Sequence, residues 1–181
     1  MVFEQKEIRL KNGKTAILRS PVPEDAVELL EYMKQTAGET DFLLRTPEEC
    51  TMTPEAEAVY LQKFNDSPTD LMIVCTVDGK IAGNCQVSRK NKRKNCHRGS
   101  IGIALLKEYW SLGIGSAMLA ELIRAAEGWG LMQLELEYIE GNDRAFGLYE
   151  KMGFRVVGAI PNAIRLADGT LLKEFQMVRS M

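Results

Sequence analysis

The chain has 181 residues, enough for one well-buried core and too few for two ordinary domains, so a single domain over residues 1–181 is expected. Apolar residues make up 45% and charged residues 27%, as in globular proteins, and a net charge near −2 lacks the basic surplus of a general nucleic-acid binder. No apolar run reaches membrane-spanning length and Met1 to Lys6 do not open a signal peptide, which argues against a membrane partner and points to the cytoplasm, with all four cysteines reduced.

Asn12-Gly13 is a hairpin turn between two candidate strands, Glu7 to Leu10 and Thr15 to Arg19. Pro23-Glu24-Asp25 opens a helix, because proline suits the first helical position and acids suit the positive end of the dipole. Ala26, Leu29, Leu30, Met33 and Ala37 recur along it at helical spacing, and Gly38 is its expected stop. Thr53-Pro54 caps and starts a second helix, which runs to about Phe64 with Val59, Tyr60 and Leu61 inside it. Around these helices lie Glu39, Asp41, Glu48, Glu49, Glu55 and Glu57, against one Arg45. These acids read either as solvated loop surface or as a patch that draws in a cationic substrate. Two short strands follow, Leu71 to Val77 and Lys80 to Val87, joined by the hairpin turn Asp78-Gly79. Arg89 to Lys94 holds five basic residues in six but no aromatic one, so it reads as a solvated loop and not a nucleic-acid patch. Cys96 and His97 come next. No Cys-x-x-Cys pair exists and no further ligand clusters with these two, so they read as strand-edge residues and no metal is expected.

A strand from Ser100 to Leu106, apolar from Ile101, delivers the chain to Glu108-Tyr109-Trp110-Ser111-Leu112-Gly113-Ile114-Gly115-Ser116. A long helix, about Gly113 to Glu127, leads away, with Ile114, Met118, Leu122 and Ala126 on one face beside Leu119 and Ile123. Two glycines at such a junction let the backbone come close to a ligand, and the first turn of a helix offers unpaired N–H groups to an anion such as a phosphate. No acid stands between Gly113 and Ala120, where helices usually place one; Glu121 is the first. Taken alone, Gly-x-Gly fits tight turn packing as well as it fits an anion site. Gly128-Trp129-Gly130 ends the helix, and Gln133 to Tyr138 alternates polar and apolar residues as a half-covered strand does. Asn142 is a natural cap for a short helix, Asp143 to Met152, that Gly153 stops. Phe154 to Ile160 and Leu171 to Val178 are the last two candidate strands, with Asp168-Gly169 turning the chain between them. Hairpins followed by strand–helix–strand–helix–strand make an α/β or α+β domain around a mixed sheet.

The segment Asn142-Asp143-Arg144-Ala145-Phe146-Gly147-Leu148-Tyr149-Glu150-Lys151-Met152-Gly153-Phe154, together with the glycine turn before it, resembles the GCN5-related N-acetyltransferase superfamily. The likeness is strongest from about Gly102 to Phe154 and rests on a Gln/Arg-x-x-Gly-x-Gly/Ala loop and an Asn-x-x-Ala-x-x-Leu-Tyr-x-Lys-x-Gly-Phe segment in the right order. The resemblance implies a mixed, mostly antiparallel twisted sheet flanked by helices, and acetyl-CoA as co-substrate. It implies that backbone amides of Leu112, Gly113, Ile114, Gly115 and Ser116 hold the pyrophosphate, and that Ile103, Ala104 and Leu105 run beside the pantetheine arm. Asn142 is implied as a contact near the acetyl-carrying arm, with Ala145 also at the cofactor. Tyr149 is implied as the acid that protonates the departing thiolate. One departure stands out: Trp110 occupies the position where the pattern has Gln or Arg.

Elementary chemistry fits the same roles. An amine nucleophile must shed a proton, a thiolate leaving group is helped by gaining one, and a phenol is still protonated at neutral pH. By its spacing alone, Tyr149 could equally be a core tyrosine. Glu137, near the end of its strand and twelve positions before Tyr149, is the candidate base. The same spacing occurs in the ribosomal-protein alanine acetyltransferases of this superfamily; the bland alternative is an exposed strand carboxylate like Glu135, and a water relay could stand in for a base. Cys85 and Cys96 lack a partner base, so direct transfer is expected over an acetyl-cysteine route. The acceptor is left as a protein N-terminus, lysine, polyamine, aminoglycoside or other small amine, and a homodimer is left open. The alternative from another class is a non-catalytic acyl-CoA sensor. A P-loop is disfavoured because no Lys-Ser/Thr follows the glycines.

Overall fold

Asn12-Gly13 and Asp78-Gly79 both turn the chain back on itself with left-handed backbone, at Gly13 (φ 85°), Asp78 (φ 51°) and Gly79 (φ 82°). The computed structural model, which describes residues 1–181, shows them joining β1 (Lys6–Arg9) to β2 (Thr15–Arg19) and β3 (Asp70–Val77) to β4 (Lys80–Arg89). Between the hairpins run α1 (Ala26–Glu39) and α2 (Pro54–Asp66); after them come β5 (Arg98–Leu105), α3 (Ile114–Gly128), β6 (Gln133–Ile139), α4 (Asp143–Lys151), β7 (Arg155–Arg165) and β8 (Leu171–Ser180). The strands form one sheet in the order β1-β2-β3-β4-β5-β6-β8-β7. Every pairing is antiparallel except β5 with β6. This is the mixed α/β, mostly antiparallel architecture expected.

The helices cover both faces. On one face α3 buries Ile114, Met118, Leu119 and Leu122 completely against β3, β4 and β5. Each such side chain contributes roughly 2 kcal/mol of hydrophobic free energy. Tyr149 and Phe154 complete that core from α4 and the residue before β7. On the other face α1 and α2 bury Ala26, Leu29, Tyr32, Leu61 and Phe64 over Met72 and Val74. The buried stripe of α1 is Ala26, Leu29, Tyr32 and Thr36, so the expected Leu30, Met33 and Ala37 lie beside it, half-buried, and the helix continues through Gly38 to Glu39. The Thr53 side chain accepts from the Ala56 N–H, as a cap should. Arg19 binds both oxygens of Asp25 (2.6 and 2.8 Å), which also accepts from the Val22 N–H, fastening β2 to the start of α1.

Most strand ends fall within a residue or two of the sequence reading, and two placements differ from it more. Strand β7 runs on to Arg165, past a register shift between Ile160 and Ile164, with Asn162 at φ 54°, that interrupts the alternation by which a strand is read from sequence. Cys96 and His97 stand in the turn before β5, where the Cys96 thiol donates to the Arg93 carbonyl, and not on a strand edge.

Candidate active site

Strands β5 and β6 pair at only three positions, Arg98 with Gln133, Gly99 with Leu134 and Ser100 with Glu135. Beyond them the strands separate while β5 stays paired to β4 and β6 to β8, so the sheet opens into a cleft. The Tyr32 hydroxyl bridges the adjoining pair of strands, β4 and β5. It accepts from the Asn84 N–H (3.2 Å) and donates to the Ala104 carbonyl (2.7 Å), standing between two residues that face each other in register. The cleft is the wall of a cavity of about 840 Å³. Its lining brings together Ile103, Ala104 and Leu105 from β5, Glu137 from β6, and Asn142, Ala145 and Tyr149 from α4 and its cap.

The glycine loop follows β5 and Trp110, which line the cavity, whereas Leu112, Gly113, Ile114, Gly115 and Ser116 themselves are not part of that lining. Ser111 (φ 64°) and Gly113 (φ 99°) both adopt left-handed backbone. For the serine that conformation costs about 1 kcal/mol or more. Alternating handedness turns successive N–H groups to one side, the geometry of an anion nest. The N–H groups of Ser111, Leu112, Gly113, Ile114, Gly115 and Ser116 bond to nothing in the protein; the first inward bond of the helix is Ala117 N–H to Gly113 C=O (3.1 Å). The first turn of α3 carries no acid. Glu121 is paired instead to Lys6 (2.7 Å) and Arg124, and the Lys11 N–H holds the Leu112 carbonyl (3.1 Å), so the first hairpin braces the loop.

The two glycines serve different purposes. Gly113 has open space around it and is required by its positive φ. At Gly115 a Cβ would meet Leu148 Cδ2 at 3.0 Å, so that glycine lets α3 approach α4. Trp110 donates through its ring N–H to the Leu105 carbonyl (2.8 Å), and the Arg144 guanidinium lies 4.4 Å over its ring. A cation from α4 therefore stacks on the residue that departs from the pattern, a contact that no local spacing announces.

Tyr149 is 7% exposed, with its ring edge-on to Phe154. Burial pushes its phenol up to about 12. The hydroxyl has no protein partner and yet is not among the sealed polar atoms, so it opens to the cavity. Asn142 Oδ1 is engaged in capping α4 through the Ala145 N–H (3.2 Å), which leaves its amide N–H₂ for the cavity. Glu137 is exposed on the cavity wall opposite Gln176. Glu174, which sequence reasoning missed, lies on the same face two register pairs further along; burial and then the charge of Glu137 raise its carboxyl above the ordinary range. Glu135, by contrast, is ion-paired to Arg98.

The acidic residues of the α1–α2 region do not form one patch. Glu39 accepts from the Lys107 N–H (2.6 Å), Glu49 from the Thr46 N–H (2.8 Å), and Glu48 and Glu55 are exposed in first helical turns. Glu57 alone is buried, and burial raises its carboxyl with only Arg45 opposing. The connection between α1 and α2 crosses the cavity mouth, so that Phe42 comes within 3.7 Å of where a Gly141 Cβ would stand.

Solved structures share this architecture. An acetyltransferase of the GNAT family from Streptococcus pneumoniae superposes with a TM-score of 0.87 at 28% identity, covering 92% of this chain and 99% of its own. A phosphinothricin acetyltransferase from Sinorhizobium meliloti, solved in complex with AcCoA, superposes at 0.78 with 21% identity over 92% and 88% of the two chains. Among curated proteins, the L-amino acid N-acetyltransferase AaaT of Escherichia coli (strain K12) is 22% identical over 125 residues, 68% of this chain and 76% of the relative. Residues 31–154 match the Acetyltransferase (GNAT) family profile, and the chain belongs to that family. The enzyme class read from the two sequence blocks, an N-acetyltransferase, therefore holds.

Proposed function

We propose that the protein moves the acetyl group of acetyl-CoA directly onto a primary amine, of a small molecule or a peptide, within one domain spanning residues 1–181. Acetyl-CoA supplies the activated thioester; the rest falls to the chain. The N–H groups of Leu112 to Ser116 hold the diphosphate, while Ile103 to Leu105, Asn142 and Ala145 flank the arm. Glu137 receives the proton that the acceptor nitrogen sheds as the C–N bond forms. Tyr149 gives its proton to sulfur as the C–S bond breaks.

One observation supports this reading above the rest. A run of unpaired main-chain N–H groups, free of any acid, follows directly on the strand and the Trp110 that line the cavity, and a buried phenol with no protein partner lines the same cavity. Such a site suits a diphosphate-bearing thioester. The AcCoA complex of the structural relative from Sinorhizobium meliloti points the same way. A thiol-release assay with acetyl-CoA and a panel of polyamines, amino acids, aminoglycosides and short peptides tests it. Amine-dependent release is expected; acetyl-CoA binding without release for any amine would favour the sensor role instead.

A further inference from the structure

Of the charged residues that line the cavity and that acetyl transfer itself does not use, only Glu57 is buried. Glu57 lies on the buried stripe of α2 with Leu61 and Phe64, at 2% exposure, and lines the cavity. Its carboxylate accepts no hydrogen bond and forms no ion pair, and neither oxygen is sealed off, so what remains accessible of it faces the cavity. The same cavity is lined by Met33 from α1, Leu44 and Met52 from the α1–α2 connection, Tyr60 from α2 and Met72 from β3. Arg45, the basic residue beside them, is exposed and does not pair with it. Holding a bare carboxylate in such a place is unfavourable unless a cation from outside completes it. Helix α2 packs over β3, and the β5–β6 gap lies two strands further on. At roughly 4.8 Å per strand, the gap lies about 12 Å across the sheet from the strand beneath α2.

We propose that the acceptor is a diamine-type molecule: one nitrogen reaches the gap and is acetylated, while a second, cationic nitrogen beyond an apolar spacer pairs with Glu57. This rests on the N-acetyltransferase reading and narrows its substrate class. During transfer the second nitrogen keeps its charge, and only the first loses a proton.

The test compares 1,5-diaminopentane, 1-aminopentane and 5-aminopentanoate as acceptors for the wild type and Glu57→Gln. In parallel, calorimetry follows the binding of 1,5-diaminopentane to each protein saturated with CoA. The wild type should favour the diamine over 1-aminopentane by about tenfold or more in kcat/KM, with 5-aminopentanoate poorest. In Glu57→Gln that ratio should collapse, and diamine binding should weaken about tenfold. Equal use of diamine and monoamine by the wild type, or a preference that survives the substitution, overturns the proposal. The two arms separate the two levels of the account. Binding that depends on Glu57 without transfer to any amine would sink the transferase reading, and with it the diamine as acceptor, and leave only a cation site at Glu57. Transfer with no Glu57-dependent discrimination would sink the diamine proposal alone.

Discussion

Burial strengthens the hold of the Tyr149 phenol on its proton, and for a proton donor that direction widens the working range. Donation fails only as pH rises through the folded value near 12, above the ordinary value of 10. So kcat should show no fall between pH 8 and 10 that Tyr149→Phe abolishes. The same substitution should lower kcat by about 100-fold, in the usual range for a lost general acid. The acetyl-CoA dissociation constant should stay within about twofold. Equal losses in both quantities would make Tyr149 a packing residue. Its place was legible in the sequence, since Asn142 and Gly153 bracket its helix and Ala145, Leu148 and Met152 share its face. Its unpartnered hydroxyl was not, because that depends on β6 and the cleft. Glu57 was half legible: Glu57, Leu61 and Phe64 fall at i, i+4 and i+7, which puts a carboxylate on an apolar stripe.

At the scale of the element, the junction from β5 into α3 was readable in outline. The missing first-turn acid and the glycines marked a helix start that could take an anion, but the two glycines looked alike in sequence and differ in space. Gly113 answers to backbone handedness, and Gly115 to the approach of Leu148. Substitution should separate them. Gly113→Ala strains the backbone by about 1 kcal/mol and leaves the N–H groups in place. Gly113→Asp adds a negative charge at the mouth of the nest. Acetyl-CoA affinity, followed by calorimetry, should therefore fall modestly for Gly113→Ala and by 100-fold or more, on the order of two charge-assisted contacts, for Gly113→Asp. Unchanged binding in Gly113→Asp would place the diphosphate elsewhere. Trp110 was legible only as a departure from a pattern; the Arg144 guanidinium over its ring comes from another helix.

Across the whole molecule, local signals placed the hairpins and helices well, because turn chemistry and apolar periodicity act within a few residues. What escaped depends on partners far apart in the chain. The separation of β5 from β6 after Ser100, the Tyr32 hydroxyl between Asn84 and Ala104, and the reach of Phe42 to Gly141 are all of this kind. The register shifts of β7 hid half a strand for a related reason, since they break alternation at positions set by its pairing with β8. A sheet held across its middle by three register pairs gains a second tie when a ligand fills the cleft. Acetyl-CoA at 100 times its dissociation constant should stabilise the fold by about 2.7 kcal/mol and raise Tm by roughly 5–10 °C. No shift at saturation would mean that the cleft is not its site. Amide hydrogen exchange, resolved by residue, addresses the nest itself. With CoA bound, the N–H groups of Leu112 to Ser116 should become strongly protected together, more than those of the later turns of α3. Protection elsewhere, with these five exchanging as freely as in the unbound protein, would contradict the cradle.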